Sequence, residues 1–521
     1  MEQRLLDSLL NPKAYPEATA TVQMIQTHVS YLFLTDQYVY KIKKPVDFGF
    51  LNFSTIDRRR FYCHEEIRLN QRLCPTIYLG VVEVRETPKG VSFQGDGQVV
   101  DYAVKMRRLP AERMLDRLID EEKVSADAMA EIARTIGQFH RAAETNSTIA
   151  QHGSLASIRR NWEENIQQAA SLVPNCLSAK DLATIGDWAE SFLQANRELF
   201  ERRVSGGFIR DCDGDIHLAN ICLTDGQVCI FDCIEFNQRF RYSDTAADIA
   251  FLLMDLDFHQ RSDLGHSLLE EYQAVTDDRE SSLILDYYKC YRAFIRGKVA
   301  GFQLLDAQIP AEIRSESQER ARRYFRLARG YALRTRLPKT LFITCGLMGS
   351  GKSSLAHQLA MELGLTVLSS DLTRKRLAGI SPTARMADPY GEGLYSRAVS
   401  QATYTALFGQ AELVLSSGNS VIIDASFRRQ SDRRMATDLA QRSGAGLCIL
   451  YLNPPEQIIR ERLSRRLKDP QRISDGRPEL LAPQKGEFGA LQSDEGRVID
   501  VATETSVTDA TDLLLKELQL L

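Results

Sequence analysis

The 521-residue sequence predicts two different fold classes in succession, an α+β half followed by an α/β half. Residues 20–105 are rich in strand patterns around one helical segment, and residues 125–330 are mostly helical, so we expect a strand-rich lobe followed by a helical lobe. After "ALRTRLPKTLFITC" the order becomes strand, glycine loop, helix, and strand again at "SVIIDA" and "LCILYL". Apolar strands that alternate with helices indicate a parallel sheet covered by helices on both faces.

The length and composition indicate more than one globular domain. A chain of 521 residues exceeds what one hydrophobic core usually supports, so we expect two or three domains. The composition is 44% hydrophobic and 26% charged with a formal net charge of −4, which argues against a polyanion-binding protein. Basic runs such as "RERLSRRLKDPQR" leave local anion sites open, so a polynucleotide end stays open as a substrate although there is no strong nucleic-acid signal.

Neither the N-terminus nor the cysteines indicate export. "MEQRLLDSLLNPKAYPE" becomes polar too early for a signal peptide, and no apolar run approaches the ~18 residues of a membrane span. Ten cysteines occur without a C-x-x-C pair. The group of Cys212, Cys222, Cys229 and Cys233 fits no zinc spacing, and apolar strand positions explain it better than a metal site. We therefore expect reduced thiols, a cytoplasmic location and no membrane association.

The boundary between the halves lies at a proline. "IRSESQERARRYFRLARGYALRTR" predicts one long, basic, amphipathic helix, Pro338 stops it, and "TLFITC" begins a buried strand. We expect one domain over residues 1–330 and a second over residues 338–521.

The stretch "GLMGSGKS" predicts a phosphate-binding loop in the second domain. It satisfies G-x-x-x-x-G-K-[ST] with Gly346, Gly351, Lys352 and Ser353 in place, between a predicted strand and a predicted helix. Glycines let backbone N–H groups wrap phosphates, Lys352 would neutralise charge on the β- and γ-phosphates of ATP during catalysis, and the Ser353 hydroxyl would hold Mg²⁺. The residues expected to contact the nucleotide are Gly346, Gly349, Ser350, Gly351, Lys352, Ser353 and Ser354.

Two further strands of this domain end in carboxylates. "VIIDASFRR" ends its apolar run in Asp424, which suits a Mg²⁺ carboxylate acting directly or through a water ligand. "VLSSDLTRKRL" places Asp371 at the end of the second strand and Arg374 one helical turn later. Asp371 could accept a proton from a substrate hydroxyl while Arg374 binds an anionic or polar substrate group. The alternative is a helix-capping Asp371 with a solvated Arg374.

A basic segment near the C-terminus is a candidate lid. Arg462, Arg465 and Arg466 precede a Pro/Gly-rich loop and could reach the transferring phosphoryl group, although a solvated helix face explains them nearly as well. Together with the phosphate loop, this segment and the S-D-x-x-R stretch resemble small P-loop kinases of the zeta-toxin, polynucleotide 5′-kinase and gluconate-kinase type over residues 340–500. The resemblance implies phosphoryl transfer to a hydroxyl group, with Asp371 as the base.

The first domain carries a polar cluster between two apolar segments. Within "RDCDGDIHLANICL", residues 213–220 contain two Asp, one His and one Asn, and "VCIFDCIEF" follows with a single Asp. This set resembles aminoglycoside phosphotransferases and choline kinases, whose loop reads H-G-D-x-H-x-x-N before a strand with I-D-F. The resemblance implies a bilobal, protein-kinase-like fold with Asp215 as the catalytic base, Asn220 and Asp232 as Mg²⁺ ligands, and Asp248 in "SDTAADIA" as a buried support for the loop.

Upstream segments extend the same resemblance over residues 20–300. "YVYKIKKPVDF" is similar to the strand that carries the ATP-binding lysine, which we assign to Lys41, and "CHEEIRLN" is similar to the helix whose glutamate pairs with it, Glu66 rather than Glu65. The whole chain is identified as a member of the bacterial fusions of such a domain with a P-loop kinase of the AAA-type ATPase class. Asp213 stands where that family has a histidine, and no glycine precedes Gly49 to form a glycine-rich phosphate hairpin.

These observations predict a Mg²⁺- and ATP-dependent phosphotransferase with two nucleotide sites and small-molecule acceptors. One alternative is a P-loop enzyme regulated by an N-terminal pseudokinase or partner-binding module. Another is an ATPase switch without an acceptor. An aminoglycoside acceptor is poorly supported, because "KCYRAFIRGKVAGF" is apolar and basic whereas a polycationic drug needs a carboxylate-lined pocket.

Overall fold

The computed structural model describes residues 3–88, 90–224, 226–305, 309–381, 384, 391–466 and 476–520. The chain divides into two compact units, which confirms an α+β part followed by an α/β part. The N-terminal unit comprises Met1–Ser171, Gly186–His259 and Asp263–Ile295, and the C-terminal unit comprises Leu172–Ile185, Gln260–Ser262 and Arg296–Leu521. This division differs from the predicted limits of 1–330 and 338–521, because the long basic helix before Pro338 packs within the C-terminal unit.

A six-stranded antiparallel sheet opens the N-terminal unit, in the order β1-β2-β3-β6-β4-β5. Side chains alternate across a strand, so Tyr40 and Ile42 of the third strand enter the hydrophobic core while Lys41 and Lys43 face the other side. The strands are β1 Gln23–Gln26, β2 Ser30–Leu34, β3 Tyr38–Lys43, β4 Tyr78–Thr87, β5 Gly90–Ser92 and β6 Gln98–Arg107.

Helices make up most of the following segment, as predicted, interrupted by two short two-stranded antiparallel sheets that flank the polar cluster. The small strands are β7 Ile209–Asp211, β8 Ile221–Thr224, β9 Gln227–Ile230 and β10 Tyr242–Asp244. The helices are α1 Gln3–Leu9, α2 Ile56–Asn70, α3 Leu115–Asp120, α4 Ala126–Ala142, α5 Ser147–Ala150, α6 Leu155–Ala169, α7 Ala179–Ala195, α8 Arg197–Ser205, α9 Gln238–Arg241, α10 Thr245–Phe258, α11 Ser262–Thr276, α12 Leu285–Phe302 and α13 Ala311–Arg334.

A five-stranded parallel sheet forms the centre of the C-terminal unit, in the order β12-β13-β11-β14-β15. Every residue of "TLFITC" is buried, as expected for a strand covered on both faces. Its strands are β11 Thr340–Cys345, β12 Thr366–Ser369, β13 Val421–Asp424, β14 Gly446–Tyr451 and β15 Arg497–Asp500. Its helices are α14 Lys352–Leu363, α15 Ser370–Leu377, α16 Arg397–Ser416, α17 Gln430–Arg442, α18 Glu456–Arg466, α19 Leu481–Gly486 and α20 Val507–Glu517. Side chains of α14 and α20 share one hydrophobic cluster, and those of α16 and α17 share another.

The cysteines differ from the expectation of reduced thiols at one pair. Cys74 and Cys229 form a disulfide with their Cα atoms 5.0 Å apart, inside an apolar cluster of the N-terminal unit. The two residues are 155 positions apart in sequence, so no local spacing pattern could predict that they pair. The other eight cysteines are buried and form no disulfide.

No helix within the described ranges combines the length and apolar composition needed to cross a membrane.

The helix α13 approaches the helix α14 closely through a glycine. A Cβ atom placed on Gly330 would lie 2.4 Å from the carbonyl oxygen of Glu362. The neighbouring Arg329 forms a buried ion pair with Glu362, and its Nη1 lies 3.0 Å from Asp181 Oδ1. Because backbone atoms cannot move aside as a flexible side chain can, this approach requires glycine.

We therefore expect Gly330→Ala to destabilise the C-terminal unit. Overpacking typically costs about 1–3 kcal/mol, which exceeds the helix-propensity gain of about 1 kcal/mol from replacing glycine with alanine. The matched control is Gly409→Ala, also within a helix but with nothing within 4 Å of the added Cβ, which should be neutral or stabilising. Urea unfolding followed by circular dichroism measures both variants, and a Gly330→Ala protein as stable as the control would contradict the close approach.

Candidate active sites

The polar cluster of the N-terminal unit is a loop held by one buried helix. The helix α10 supplies Asp248, whose carboxylate accepts hydrogen bonds from the N–H groups of Asp213 (2.9 Å) and Gly214 (2.8 Å). About two turns further along the same helix, the carboxylate of Asp255 accepts a hydrogen bond from the N–H of Leu218 at 3.0 Å. These side chains take the place of strand or helix partners for the loop backbone, which is why an irregular loop can lie buried.

Two of the three residues proposed for catalysis and metal binding, Asp215 and Asn220, lie on this loop, and the third, Asp232, follows Phe231, whose N–H donates to the Asn220 carbonyl at 3.0 Å. Asn220 Nδ2 lies 3.1 Å from Asp215 Oδ2. Asp232 follows the β8–β9 hairpin with a φ of +66°, a left-handed conformation that is uncommon outside glycine. Its N–H donates to the hydroxyl of Tyr78 at 3.1 Å, and its carboxylate lies 2.6 Å from Lys41 Nζ. Carboxylate and amide oxygens are the ligands that Mg²⁺ prefers, so these residues fit a magnesium site.

Lys41 and Glu66 form the predicted pair. Lys41 Nζ lies 2.9 Å from Glu66 Oε1, and Glu66 is fully buried on the helix α2. Glu65 instead bonds Arg68, which is more than half exposed, and this agrees with the choice of Glu66 over Glu65.

Sequence reasoning missed a second lysine–glutamate pair in the same place. Lys43 is buried and binds the other oxygen of Glu66 at 2.6 Å, and it also pairs with Glu235, three residues after Asp232. Burial alone would raise the pKa of Glu66, but the two lysine charges lower it to about 2. The available signal was the i, i+2 spacing of the two lysines, which places both on one face of the strand.

Asp213, which stands where the family has a histidine, lies beneath the loop. Its Oδ1 accepts the N–H of Asp215 at 3.1 Å, so it supports the loop backbone at the base itself. Burial and the negative charge of Asp248 raise the pKa of Asp213 well above its usual range. The same helix-supported region contains a buried trio, His140, Cys212 and Asp248, with the ligand-type spacing of a metal site. His140 is hydrogen-bonded to Tyr272 and Asp248, and we interpret the trio as packing.

The phosphate loop of the C-terminal unit requires its glycines. Gly346, Gly349 and Gly351 have φ values of +155°, +75° and +103°. A Cβ atom on Gly346 would lie 2.4 Å from a carbonyl oxygen, and one on Gly349 would lie 2.9 Å from a leucine side chain. The hydroxyl of Ser350 is buried and has no hydrogen-bond partner among the residues that the structure describes. The loop runs into α14 at Lys352, so the first N–H groups of that helix lack partners within the helix and fit an anion such as a phosphate.

The residues predicted to act beside this loop line one cavity of 590 Å³. Burial lowers the pKa of Lys352, although the charges of Asp424 and Asp371 partly oppose this effect. Its Nζ donates to the carbonyl of Leu347 at 2.7 Å. The predicted residues among those lining the cavity are Gly349, Gly351, Lys352, Ser353, Asp371, Arg374, Asp424 and Arg466. Gly346, Ser350, Ser354 and Arg462 do not line it.

The Asp371 position differs from the prediction in detail. The strand β12 ends at Ser369, and Asp371 lies in the first turn of α15 instead of at the strand end. Ser369 caps the helix through the N–H of Leu372, so the capping alternative for Asp371 is wrong. Arg374 lies 3.1 Å from Asp371 through Nη1 and packs its guanidinium 4.7 Å from the ring centroid of Tyr395.

The three lid arginines have different surroundings. Arg462 donates to the carbonyl of Ser350 at 3.1 Å and to that of Thr503 at 2.6 Å, so it braces the phosphate loop and does not enter the cavity. This corrects the prediction that it reaches the phosphoryl group. Arg466 lines the cavity, whereas Arg465 does not. The predicted lid loop itself falls on 467–475, outside the described residues.

Family models match both parts of the chain. The model described as "Phosphotransferase enzyme family" matches residues 50–283, and the model described as "AAA domain" matches residues 341–491. The two matches define a phosphotransferase enzyme with two kinase-like, nucleotide-binding domains in series, which confirms the predicted resemblance.

Curated relatives share this architecture over most of their length. The "Uncharacterized protein Rv2004c" of Mycobacterium tuberculosis and the "Uncharacterized protein Mb2027c" of Mycobacterium bovis are each 31% identical over 421 residues, covering 80% of this chain and 81% of theirs. The chain belongs to the family of these mycobacterial proteins.

Solved structures are similar only to parts of the chain. A choline/ethanolamine kinase family protein from Mesorhizobium loti is 11% identical with a TM-score of 0.37, covering 63% of this chain and 98% of that one. A sugar kinase from Janibacter sp. HTCC2649 is 22% identical with a TM-score of 0.28, covering 35% of this chain and 96% of that one.

We expect Lys43→Met to destabilise the N-terminal unit, because it leaves Glu235 buried without its cation. Removing one partner of a buried ion pair typically costs about 3–5 kcal/mol. The double variant Lys43→Met/Glu235→Gln removes both charges and should recover part of that loss. Both tryptophans lie in the N-terminal unit, so urea unfolding followed by their fluorescence measures the effect. Equal destabilisation by the single and double variants would contradict the pairing.

Proposed function

We propose that the C-terminal unit transfers the γ-phosphoryl group of ATP to a hydroxyl group of a small-molecule acceptor. The observation that carries this proposal is the single cavity lined by both the phosphate-loop residues Lys352 and Ser353 and the acceptor-side residues Asp371 and Arg374. A kinase needs these two sets within reach of one phosphoryl group, because it catalyses mainly by positioning and by stabilising charge.

Each residue has a defined part in the proposed transfer. The loop N–H groups and Lys352 bind the phosphates, and Arg466 adds positive charge beside them. Ser353 and Asp424 would hold Mg²⁺, which neutralises phosphate charge when bound. Asp371 accepts the proton of the acceptor hydroxyl while the oxygen of that hydroxyl bonds the γ-phosphorus. ADP leaves with the electron pair of the broken P–O bond.

The ion pair with Arg374 positions Asp371 for this role. Arg374 Nη1 lies 3.1 Å from Asp371 Oδ1 and holds that carboxylate in the cavity lining. Stacking against Tyr395 fixes the guanidinium plane, so the orientation of the Asp371 carboxylate is fixed as well.

We propose in addition that the N-terminal unit is a second kinase site, with Asp215 as the base and Asn220 and Asp232 as Mg²⁺ ligands. The support is the contact of Asn220 with Asp215, the backbone bond from Phe231, the residue before Asp232, to Asn220, and Lys41, which lies against Asp232 and pairs with Glu66 as a nucleotide-binding lysine requires. The alternative, a pseudokinase that regulates the C-terminal unit, draws on Asp213, whose buried carboxyl stands two residues from the base.

We expect Asp371→Asn to lower phosphoryl transfer by the C-terminal unit by ~10²–10⁴-fold, the usual contribution of a general base. Because Asp371 faces the acceptor, nucleotide affinity measured by calorimetry should stay within about twofold. Lys352→Ala should lower transfer by ~10²–10³-fold, because it removes a preorganised charge at the transferring phosphoryl group. The matched control is Asp438→Asn, an exposed carboxylate of α17 outside the cavity.

Transfer at the wild-type rate in Lys352→Ala would refute the phosphate-loop proposal. Loss of nucleotide affinity in Asp371→Asn would assign Asp371 to the metal or to the fold. ATP hydrolysis that is independent of every added hydroxyl compound would favour the ATPase switch.

We expect two nucleotides to bind per wild-type chain and one per Lys352→Ala chain in equilibrium dialysis. The remaining site should change tryptophan emission on addition of Mg-ATP, since Trp162 and Trp188 both lie in the N-terminal unit. Adding Lys41→Ala and Asp232→Ala should abolish that change by removing the proposed phosphate and metal anchors, whereas the exposed control Lys123→Ala should not. One nucleotide per wild-type chain would leave the N-terminal unit as a scaffold.

A γ-phosphate transfer assay on the full chain carrying Lys352→Ala separates a live second kinase from a pseudokinase. Transfer that disappears with Asp215→Asn supports the kinase. Nucleotide binding without any transfer supports the pseudokinase.

A further inference from the structure

Two adjacent arginines enter the cavity of the C-terminal unit from the loop after β13. Arg428 and Arg429 both line the cavity, a few residues after Asp424 at the carboxyl end of that strand. The strand lies between β12 and β11 in the sheet, so its loop stands at the same edge as both Asp371 and the phosphate loop. The proposed transfer assigns no role to these arginines.

The backbone that carries the two arginines is strained and firmly held. Phe427 is fully buried with a φ of +42°, an unfavourable conformation for a bulky residue, and such strain persists only where the surroundings enforce it. Arg433, itself fully buried, donates to the carbonyl of Phe427 at 3.1 Å, and the N–H of Gly489 donates to that of Arg428 at 2.8 Å. The fold therefore presents Arg428 and Arg429 from a fixed turn.

Both guanidinium groups converge on one carboxylate oxygen. Arg428 Nε lies 3.1 Å and Arg429 Nη2 lies 2.9 Å from the same Oε2 of Glu487, which also lines the cavity. Among the described residues that line the cavity, six cationic side chains stand against four carboxylates: Lys352, Arg374, Arg397, Arg428, Arg429 and Arg466 against Asp371, Asp424, Asp432 and Glu487. Asp432 is partly buried, and burial raises its pKa.

Arg374 adds a third guanidinium to the cavity lining. It is 8% exposed, and its Nε has no hydrogen-bond partner within the described part of the chain. Arginine carries five N–H donors in a planar fork that matches carboxylate and phosphate groups, and such charge-assisted bonds are about twice as strong as neutral ones. A neutral polyol offers these groups no charge to pair with.

We propose that Arg428 and Arg429 form an anion site for the acceptor, and that this acceptor is an alcohol carrying a carboxylate or a phosphate monoester. The inference rests on the proposed phosphoryl transfer by the C-terminal unit. The acidic group of the acceptor takes the place of the Glu487 carboxylate between the two arginines. Arg374 supplies its free donor to the same molecule, and the acceptor hydroxyl faces Asp371.

The transfer experiment uses the full chain with Asp215→Asn, so that the N-terminal unit does not contribute. Two matched acceptor sets are compared, glycerol with glycerate and glycerol 3-phosphate, and ribitol with ribonate and ribitol 5-phosphate. We expect the acids to be phosphorylated in preference to the neutral alcohols, and the carboxylate and phosphate arms show which acid the site takes. Preference for a neutral member of both sets overturns the proposal.

The variants locate the preference on the two arginines. Arg428→Gln/Arg429→Gln should raise KM for the acid by ~10–100-fold, as expected for lost charge-assisted hydrogen bonds, while KM for ATP stays within about twofold. Glu487→Gln should lower KM for the acid, because the competing carboxylate is gone. The matched control is Arg442→Gln, a surface arginine of the same unit paired with Glu412. An unchanged KM for the acid in the double variant overturns the proposal.

A binding measurement separates this proposal from the proposed transfer. Glycerate, ribonate and glycerol 3-phosphate are titrated by calorimetry into the chain saturated with a non-hydrolysable Mg-ATP analogue. Binding that is lost in the double variant and kept in Arg442→Gln supports the anion site, even where no phosphoryl group is transferred, and in that case the transfer proposal fails alone. Binding of none of the three acids, or equal binding in the double variant, overturns the anion site.

Discussion

The buried carboxylate of Asp248 is the interaction on which the N-terminal unit depends most. A loop that carries a base and metal ligands cannot form sheet or helix bonds, yet its buried N–H groups need acceptors. Asp248 accepts two of them, and Asp255 accepts a third from the same helix. Burial opposes the charged form of Asp248, but the hydrogen bond and charge of His140 lower its pKa, so the acceptor keeps its charge. The position of Asp215 therefore depends on the helix α10, which supplies none of the proposed catalytic or metal-binding residues.

In the C-terminal unit, backbone conformation takes the place of a buried carboxylate in supporting the loop of the proposed site. Glycines with positive φ orient the N–H groups of its phosphate loop, and Arg462 supports the loop by donating to the Ser350 carbonyl. A carboxylate support would be unsuitable there, because negative charge beside the loop would repel a bound phosphate. The N-terminal unit instead presents a side-chain cation at its proposed site, Lys41 held by Glu66. The two units thus divide positive charge differently between main chain and side chain.

Motifs with fixed spacing could be predicted from the sequence, and residues joined only by tertiary packing could not. The glycine loop, Asp371 and Asp424 follow from local patterns that fix geometry within one strand, turn or helix, whereas the pairing of Lys41 with Glu66 was implied by the family resemblance. Lys43 was missed because its partner Glu235 lies 192 residues away, and no periodicity links the two. The long helix α13 was grouped with the preceding domain because the predicted helix stops at Pro338. Its packing on α14 depends on the close approach of Gly330, which the hydrophobic pattern of the sequence does not reveal.

The cavity arginines Arg374, Arg428 and Arg429 show why sequence motifs alone do not identify the acceptor. A phosphate loop specifies its ligand because backbone geometry matches one anion, but an acceptor wall is built from side chains on separate elements. The sequence analysis assigned no role to Arg428, and the strained turn at Phe427 and the shared contact with Glu487 distinguish it in the structure. A fold that holds two like charges together against their repulsion needs a compensating anion. In this unit Glu487 supplies that anion, and an acidic acceptor could replace it without leaving the arginines unpaired.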